Sequence, residues 1–167
     1  MKRVGTTAVV LLLCSCPGAS HKTSTQRVVS LVPSVTEIIY ALNAGQTLVG
    51  NTNQCDYPTE AQQMYKVGDF SAPDLERIVA LKPSIVFATL PVHRALIEKL
   101  RELKIAVYVS QPTSIDDVFD EIHLVGRKLS VEAKADSLVL ELQHRLDAVV
   151  KCPDTPGVYV EISASPL

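Results

Sequence analysis

The sequence predicts an α/β fold, a parallel sheet with helices packed on its faces. Short apolar segments alternate with amphipathic segments from Arg27 onward, which is typical of parallel strands joined by helices. No short turn motif of the kind that joins antiparallel strands separates these segments. Residues 130–150, which contain neither Gly nor Pro, then interrupt the alternation and predict a single long helix.

The first β–α unit is predicted from a short strand and a capping motif. Residues 28–31, Val-Val-Ser-Leu, are a short and mainly apolar segment with two β-branched residues, which suits a buried strand. Ser34 and Glu37 have the spacing of a capping box, so a helix is expected to begin at Ser34. Gly45 is expected to end this helix by supplying the left-handed residue.

Three further units follow the same pattern. Strands are predicted at residues 47–50, 84–88 and 105–109, and helices near residues 71–82, 93–103 and 114–129. Ser71 with Asp74, and Ser114 with Asp117, have the spacing of capping boxes. Ligands of such sheets bind beyond the carboxyl ends of the strands. In this chain the segments at those ends are residues 32–34, 51–57, 69–71 and 89–91.

The N-terminus has the pattern of a secretory signal. Two basic residues precede the apolar run at residues 8–13, which is too short to span a bilayer as a helix. The run ends at Cys14-Ser15-Cys16, and this end resembles the bacterial lipobox, whose last cysteine is acylated. Residues 1–16 are therefore expected to be a signal peptide with a lipobox, Cys16 to be lipidated, and residues 17–26 to be a tether. The alternative is a plain secretory signal with incidental cysteines.

Composition excludes some classes of function and leaves a disulfide open. The net charge is −2 and Lys and Arg do not cluster, which argues against nucleic-acid binding. The sequence has no CxxC pair and no His–Cys cluster, the patterns that would predict a structural metal site. Cys55 and Cys152 remain besides the proposed anchor. An exported protein can form disulfides, but sequence alone does not bring these two within bridging distance, and we favour free thiols.

Five motifs occur together in an order that is characteristic of one family. They are RVVSLVPSVTE at residues 27–37, CDYP at 55–58, VG at 67–68, DLERI at 74–78 and LKPSIV at 81–86. This series resembles the periplasmic cobalamin-binding proteins of ABC importers, within a helical-backbone solute-binding family that includes siderophore- and haem-binding relatives. Each motif alone is weak, but their joint order is specific, and CDYP favours the cobalamin branch.

The resemblance implies two α/β lobes that are joined by one rigid helix and hold the ligand between them. On that plan, residues 27–129 are the N-terminal lobe, residues 130–151 the linking helix, and residues 157–167 the start of a C-terminal lobe. The chain is therefore expected to stop after its first lobe.

The resemblance also implies a function. The chain is expected to be an exported, lipid-anchored monomer, in the periplasm or on the outer face of the cytoplasmic membrane. It would deliver cobalamin or a related corrinoid to the permease of an ABC importer, without a cofactor and without touching the membrane except through its lipid. The alternatives are an iron-siderophore or haem carrier of the same family, and a secreted interaction domain that transports nothing.

Ligand contacts are expected at the carboxyl ends of the strands. In the resembled family, aromatic side chains in two of these loops press on the corrin ring. Phe70 lies where cobalamin binders often carry Trp, although it is equally expected to pack beneath its loop, and Tyr57 is as readily structural. The predicted ligand-binding residues are Pro33, Ser34, Gln54, Tyr57, Phe70 and Thr89.

Glu76 and His93 are candidates for other roles. Glu76 falls early in a helix, where the dipole favours negative charge, and the resemblance implies that it docks onto arginines of the permease. The alternative for Glu76 is a solvated carboxylate. His93 is the histidine nearest the predicted cleft, where it would meet a metal-bearing ligand, but a lone histidine at a helix start is more often solvated or capping.

An enzyme on a nucleotide-binding sheet is disfavoured. The loop after the first strand is Val32-Pro33-Ser34, whereas a dinucleotide site requires the glycine pattern GxGxxG. The sequence also lacks the GxSxG and HExxH motifs of common hydrolases. A binding protein is therefore favoured over an enzyme.

Overall fold

A four-stranded parallel sheet organises residues 26–149, the part of the chain that this computed structural model describes. The strands in chain order are β1 (Val28–Ser30), β2 (Leu48–Asn51), β3 (Gly68–Asp69), β4 (Ala72–Pro73), β5 (Ile85–Thr89) and β6 (Ala106–Ser110). The main sheet has the spatial order β2-β1-β5-β6, and every pair in it is parallel. The predicted parallel α/β architecture is confirmed.

Helices connect the strands. They are α1 (Pro33–Ala41), α2 (Thr59–Gln62), α3 (Leu75–Ala80), α4 (Arg94–Glu102), α5 (Ile115–Leu129) and α6 (Glu132–Asp147). The antiparallel pair β3 and β4 was not expected from the sequence. Each of these strands has two residues, which is too short for an alternating pattern to develop. Within residues 26–149, no helix combines the length and apolar composition needed to cross a bilayer.

Two apolar cores lie on opposite faces of the sheet, because successive side chains of a strand point in opposite directions. Val28 and Phe87 belong to the core that α1, α5 and α6 cover. Val29 and Val86 belong to the other core, which α3 and α4 cover. The central strands β1 and β5 are therefore buried on both sides, as the short continuous apolar runs predicted, whereas the edge strand β6 is only partly buried.

Two of the three predicted capping boxes are wrong, and each failure has a local cause. Val32 is the N-cap of α1 and no side chain caps it, because Pro33 occupies the first helical turn, where a missing N–H costs little. Ser34 therefore lies inside the helix. Asp74, not Ser71, caps α3 by accepting from the N–H groups of Glu76 and Arg77.

The helix ends also differ in one respect from the prediction. Asn43, with φ of 51°, supplies the left-handed residue after α1, which a short polar side chain tolerates. Gly45 is required for a different reason, since an added Cβ would lie 2.5 Å from the Tyr40 ring. The third box is confirmed, because Ser114 and Asp117 cap α5 reciprocally.

The predicted long helix is continuous from Glu132 to Asp147, a rise of about 24 Å. It begins two residues later than expected because Ser130 adopts a left-handed conformation and separates α5 from α6. The two helices approach closely at Gly126, where an added Cβ would lie 2.5 Å from that of Ala135.

Several sequence-based predictions fall outside the described residues. These are the signal peptide with Cys16, most of the tether, the end of the linking helix, Cys152, and the proposed start of a second lobe at residues 157–167.

Candidate functional site

A hollow of about 560 Å³ lies at the carboxyl edge of the main sheet. The ends of β1, β5 and β6 and the β3–β4 turn all converge there, because parallel strands end on the same side. Its lining residues are Val32, Pro33, Ser34, Phe70, Thr89, Leu90, Ser110, Gln111, Pro112 and Thr113. We refer to this space as the edge hollow.

The edge hollow brings together Pro33, Ser34, Phe70 and Thr89, four of the six residues predicted to bind ligand. The segment Ser110–Thr113 was missed. Its signal was available, because the fourth strand must end at the same edge as the others.

Gln54 does not line the edge hollow but positions Phe70. The Gln54 Oε1 atom accepts a hydrogen bond from the Phe70 N–H at 2.7 Å. The Gln54 Nε2 atom lies 3.5 Å from Asp69 Oδ1, and Asn53 donates to the same oxygen at 2.7 Å. The loop after β2 is thereby fastened to the β3–β4 turn that carries Phe70.

His93 fastens the same turn from the other side. The Thr89 N–H donates to His93 Nδ1 at 3.1 Å, so Nδ1 acts as the acceptor. His93 Nε2 therefore carries the proton in the neutral ring and donates to the Phe70 carbonyl at 2.6 Å. The Phe70 and His93 rings also meet edge to face, with centroids 5.1 Å apart.

This arrangement corrects the expectation for His93. The residue is 1% exposed, so it is neither solvated nor a surface cap, and no side chain caps α4. Both ring nitrogens are occupied by the main chain, which leaves neither free for a metal in a ligand. His93 is a positioning residue for Phe70.

Lys66 shapes the loop that carries Gln54. Its Nζ atom lies within 3.2 Å of four oxygens, the Asn51 side-chain carbonyl and three main-chain carbonyls. Burial lowers the pKa of Lys66, and the nearby Cys55 and Asp56 oppose that shift. An ammonium group thus satisfies carbonyls that the irregular loop would otherwise leave without partners.

Tyr57 lies apart from the edge hollow. Its side chain is 66% exposed and lines a separate hollow of about 400 Å³ that includes Glu37, Tyr40 and Glu60. Its neighbour Cys55 is buried, and the Cys55 thiol accepts from the Thr36 hydroxyl at 3.2 Å. The CDYP motif therefore has a structural part in holding the loop against α1.

Glu76 is exposed in the first turn of α3. Asp74 and Arg77 form an ion pair at 3.4 Å beside it, whereas Glu76 forms none within the described residues. Its carboxylate is available to a partner.

Every residue that lines the edge hollow is uncharged, and none is a histidine, cysteine or tyrosine. Residues 26–149 contain no group of three or more His, Cys, Asp or Glu placed to hold a metal ion. The hollow therefore offers neutral hydrogen-bonding groups and apolar area instead of ionic or metal ligation.

A family model described as periplasmic binding protein matches residues 28–154. The chain belongs to this family. The match contains the whole sheet and all six helices, and it confirms the resemblance drawn from the motifs between Arg27 and Val86.

Known proteins share both the sequence and the fold. The uncharacterized ABC transporter substrate-binding lipoprotein YvrC of Bacillus subtilis (strain 168) is 32% identical over 155 residues, which cover 87% of this chain and 49% of that protein. The periplasmic vitamin B12 binding protein BtuF of Vibrio cholerae has a TM-score of 0.68 and 28% identity over 73% of this chain and 48% of that chain.

A haem-binding protein is equally similar in structure. The periplasmic haem binding protein HutB of Vibrio cholerae has a TM-score of 0.71 and 25% identity, covering 80% of this chain and 52% of that chain. The chain thus spans about half the length of the relatives it matches.

The His93 bonds predict a direct readout by amide hydrogen exchange. His93→Leu removes both ring nitrogens and leaves the Thr89 N–H and the Phe70 carbonyl without partners. We expect the free energy of unfolding to fall by about 1–3 kcal/mol and the Thr89 amide to exchange faster. His93→Asn keeps an acceptor near the position of Nδ1 and should restore protection of Thr89. Arg94→Leu, at the exposed neighbouring position, is the control, and unchanged Thr89 exchange in His93→Leu would rule out the bond.

Proposed function

We propose that this chain is part of an extracytoplasmic solute-binding lipoprotein that delivers cobalamin, or a related corrinoid, to an ABC importer. The edge hollow would be one wall of the ligand site, with Phe70 as its aromatic surface. Two similarities support the proposal, one to a substrate-binding lipoprotein of an ABC transporter and one to a vitamin B12 binding protein.

The uncharged lining of the edge hollow is the observation that favours a corrinoid. Haem carries two propionate groups, and carboxylates in proteins are commonly paired with arginine or lysine. The lining contains neither residue, and it contains no tyrosine or histidine to bind the iron. The corrin ring is surrounded by neutral carboxamides, for which serine, threonine and glutamine side chains are suitable partners.

The described residues supply one wall, so affinity should depend on a second. Binding free energy is the surplus that remains after ordering and desolvation costs. A ligand that touches only the edge hollow buries one face and leaves the other in water. We therefore infer that the 167-residue chain binds cobalamin weakly, and that the complete site includes a second lobe.

Titration with cyanocobalamin tests the proposed ligand. The 167-residue chain should bind weakly or not detectably, and a chimera of residues 27–149 with the second half of the Vibrio cholerae vitamin B12 binding protein should bind tightly. Phe70→Ala in the chimera should weaken binding by roughly tenfold or more, because a buried aromatic contact is lost. Tyr57→Ala is the matched control, since Tyr57 lies outside the edge hollow, and it should leave affinity unchanged.

Other ligands form the comparison in that titration. If the chimera binds haemin or a ferric siderophore more tightly than cyanocobalamin, the corrinoid assignment is wrong and the tighter ligand takes its place. A chimera that binds none of them would favour an interaction domain that carries no solute.

Glu76 tests the proposed contact with a permease. Glu76→Lys reverses an exposed, unpaired charge, so association with the reconstituted permease should slow, and the salt dependence of the rate should decrease. Corrinoid binding by the chimera should not change. Glu102→Lys, a matched reversal at an exposed glutamate at the end of α4, should have no effect on association. Equal slowing by both variants would show that net charge, not a docking contact, controls the rate.

The proposed lipid on Cys16 is tested by metabolic labelling. Cells expressing the wild-type chain should incorporate labelled palmitate into it, and Cys16→Ala should not. Cys16→Ala should also be lost from the membrane fraction, because it removes the acyl chains, and several of these together are needed for stable anchoring. Cys14→Ala is the control and should remain labelled, and absence of label from the wild type would exclude the anchor.

A further inference from the structure

A second hollow of about 550 Å³ adjoins the edge hollow, between β6 and α5. The two spaces share Gln111 and Pro112. The other residues that line it are Tyr108, Val109, Asp117, Asp120, Glu121, His123, Leu124 and Arg127. We refer to it as the side hollow.

Two titratable side chains of the side hollow, Asp117 and His123, already have partners. Asp117 accepts hydrogen bonds from Thr113 at 2.7 Å and from the Ser114 N–H at 2.9 Å, which fix it as part of the α5 cap. His123 Nδ1 lies 3.2 Å from Asp136 on α6. Each of these side chains is held in place by its partner.

Asp120 and Arg127 line the side hollow with opposite charges, and both are exposed. Water and salt screen such charges strongly. Their combined field on a small ligand group is therefore weak.

Glu121 differs from all of these. It is 4% exposed, and its Oε1 atom has no hydrogen-bond partner within the described residues. No other buried side-chain nitrogen or oxygen of residues 26–149 lacks a partner. Burial raises the pKa of Glu121, and a hydrogen bond from Ser110 opposes that shift. A buried acceptor without a partner is costly and calls for an explanation.

We propose that the side hollow is a subsite where the Glu121 side chain, which lines the hollow, turns Oε1 out of its closed position to accept a hydrogen bond from an N–H donor on the ligand, so that carboxamide groups are accepted and carboxylates rejected. The corrinoid identity of that ligand rests on the proposed function above. The subsite itself rests on Glu121 and on the position of the side hollow beside the edge hollow.

Hydrogen-bond chemistry sets this selectivity while Glu121 is ionised, because a protonated carboxyl group would itself donate to a carboxylate. A primary carboxamide has two N–H groups that can donate to Oε1, whereas a carboxylate offers only acceptors. Opposing an acceptor with an acceptor leaves both unsatisfied in a buried position, and such mismatches discriminate more strongly than added or missing apolar groups. The periphery of a corrin ring presents carboxamides and that of haem presents carboxylates, so one glutamate would separate the two ligand classes.

A pair of small compounds tests the subsite without any corrinoid. Propionamide and propionate have the same shape, but only propionamide has an N–H donor and only propionate carries a negative charge. In an amide NMR titration of the isotope-labelled 167-residue chain, propionamide should shift the signals of Ser110, Gln111 and Glu121 saturably. Propionate should shift them at roughly tenfold higher concentration or not at all. Equal responses to the two compounds in the wild-type chain would overturn the proposal.

Variants locate the effect. Glu121→Leu should abolish the preference for propionamide, and Glu121→Gln, whose amide can accept from propionamide and can also donate to propionate, should reduce it. Asp120→Asn is the matched control at an exposed carboxylate of the same hollow and should leave the preference intact. Loss of the preference in Asp120→Asn, with its retention in Glu121→Leu, would move the recognition away from Glu121 and contradict the proposal. The wild-type comparison stands even where Glu121→Leu does not fold.

A second arm separates this inference from the proposed function. Cyanocobalamin and its monocarboxylic acid derivative, in which one carboxamide is hydrolysed, are titrated into the chimera described above. Tighter binding of the amide form, lost in Glu121→Leu, supports both proposals. Equal binding of the two forms would overturn the subsite while the corrinoid function stands. If neither form binds and the propionamide preference is intact, the corrinoid function is refuted and the subsite stands.

Discussion

The position of β1 between β2 and β5 is the constraint on which the rest of the structure depends. Its register is set on the β5 side by Val28 opposite Ile85 and Ser30 opposite Phe87. The three residues of β1 are fully buried, so a slip of one residue would move each side chain to the wrong core. Because all the pairings are parallel, the loops that follow β1, β5 and β6 must meet at one edge. The edge hollow is a geometric result of that pairing.

Sequence periodicity was sufficient for the elements that this sheet requires. The apolar runs and the helical faces each span many residues, and an error at one position does not remove the pattern. Capping boxes rest on two residues, and they failed where another local force was stronger. Pro33 set the start of α1, and the β3–β4 turn held Ser71 away from α3.

The candidate site was predictable only where it follows from chain topology. Phe70 and Thr89 could be placed at the edge because strand ends lie there. The roles of His93 and Lys66 depend on contacts that no local pattern records, since the Phe70 carbonyl is 23 residues from His93 and the Asn51 side chain 15 residues from Lys66. Glu121 was missed for the same reason, because a glutamate on an amphipathic helix is ordinarily assigned to the solvated face.

The main chain of residue 70 is held independently of its side chain. The N–H is bound by Gln54 and the carbonyl by His93, and any amino acid other than proline offers the same two groups. The side chain of residue 70 is therefore positioned by main-chain hydrogen bonds, and it is not part of the apolar core. Single codon changes there can exchange one recognition surface for another while the supporting loop keeps its shape. Ligand preference can thus diverge among descendants of such a scaffold faster than the scaffold itself.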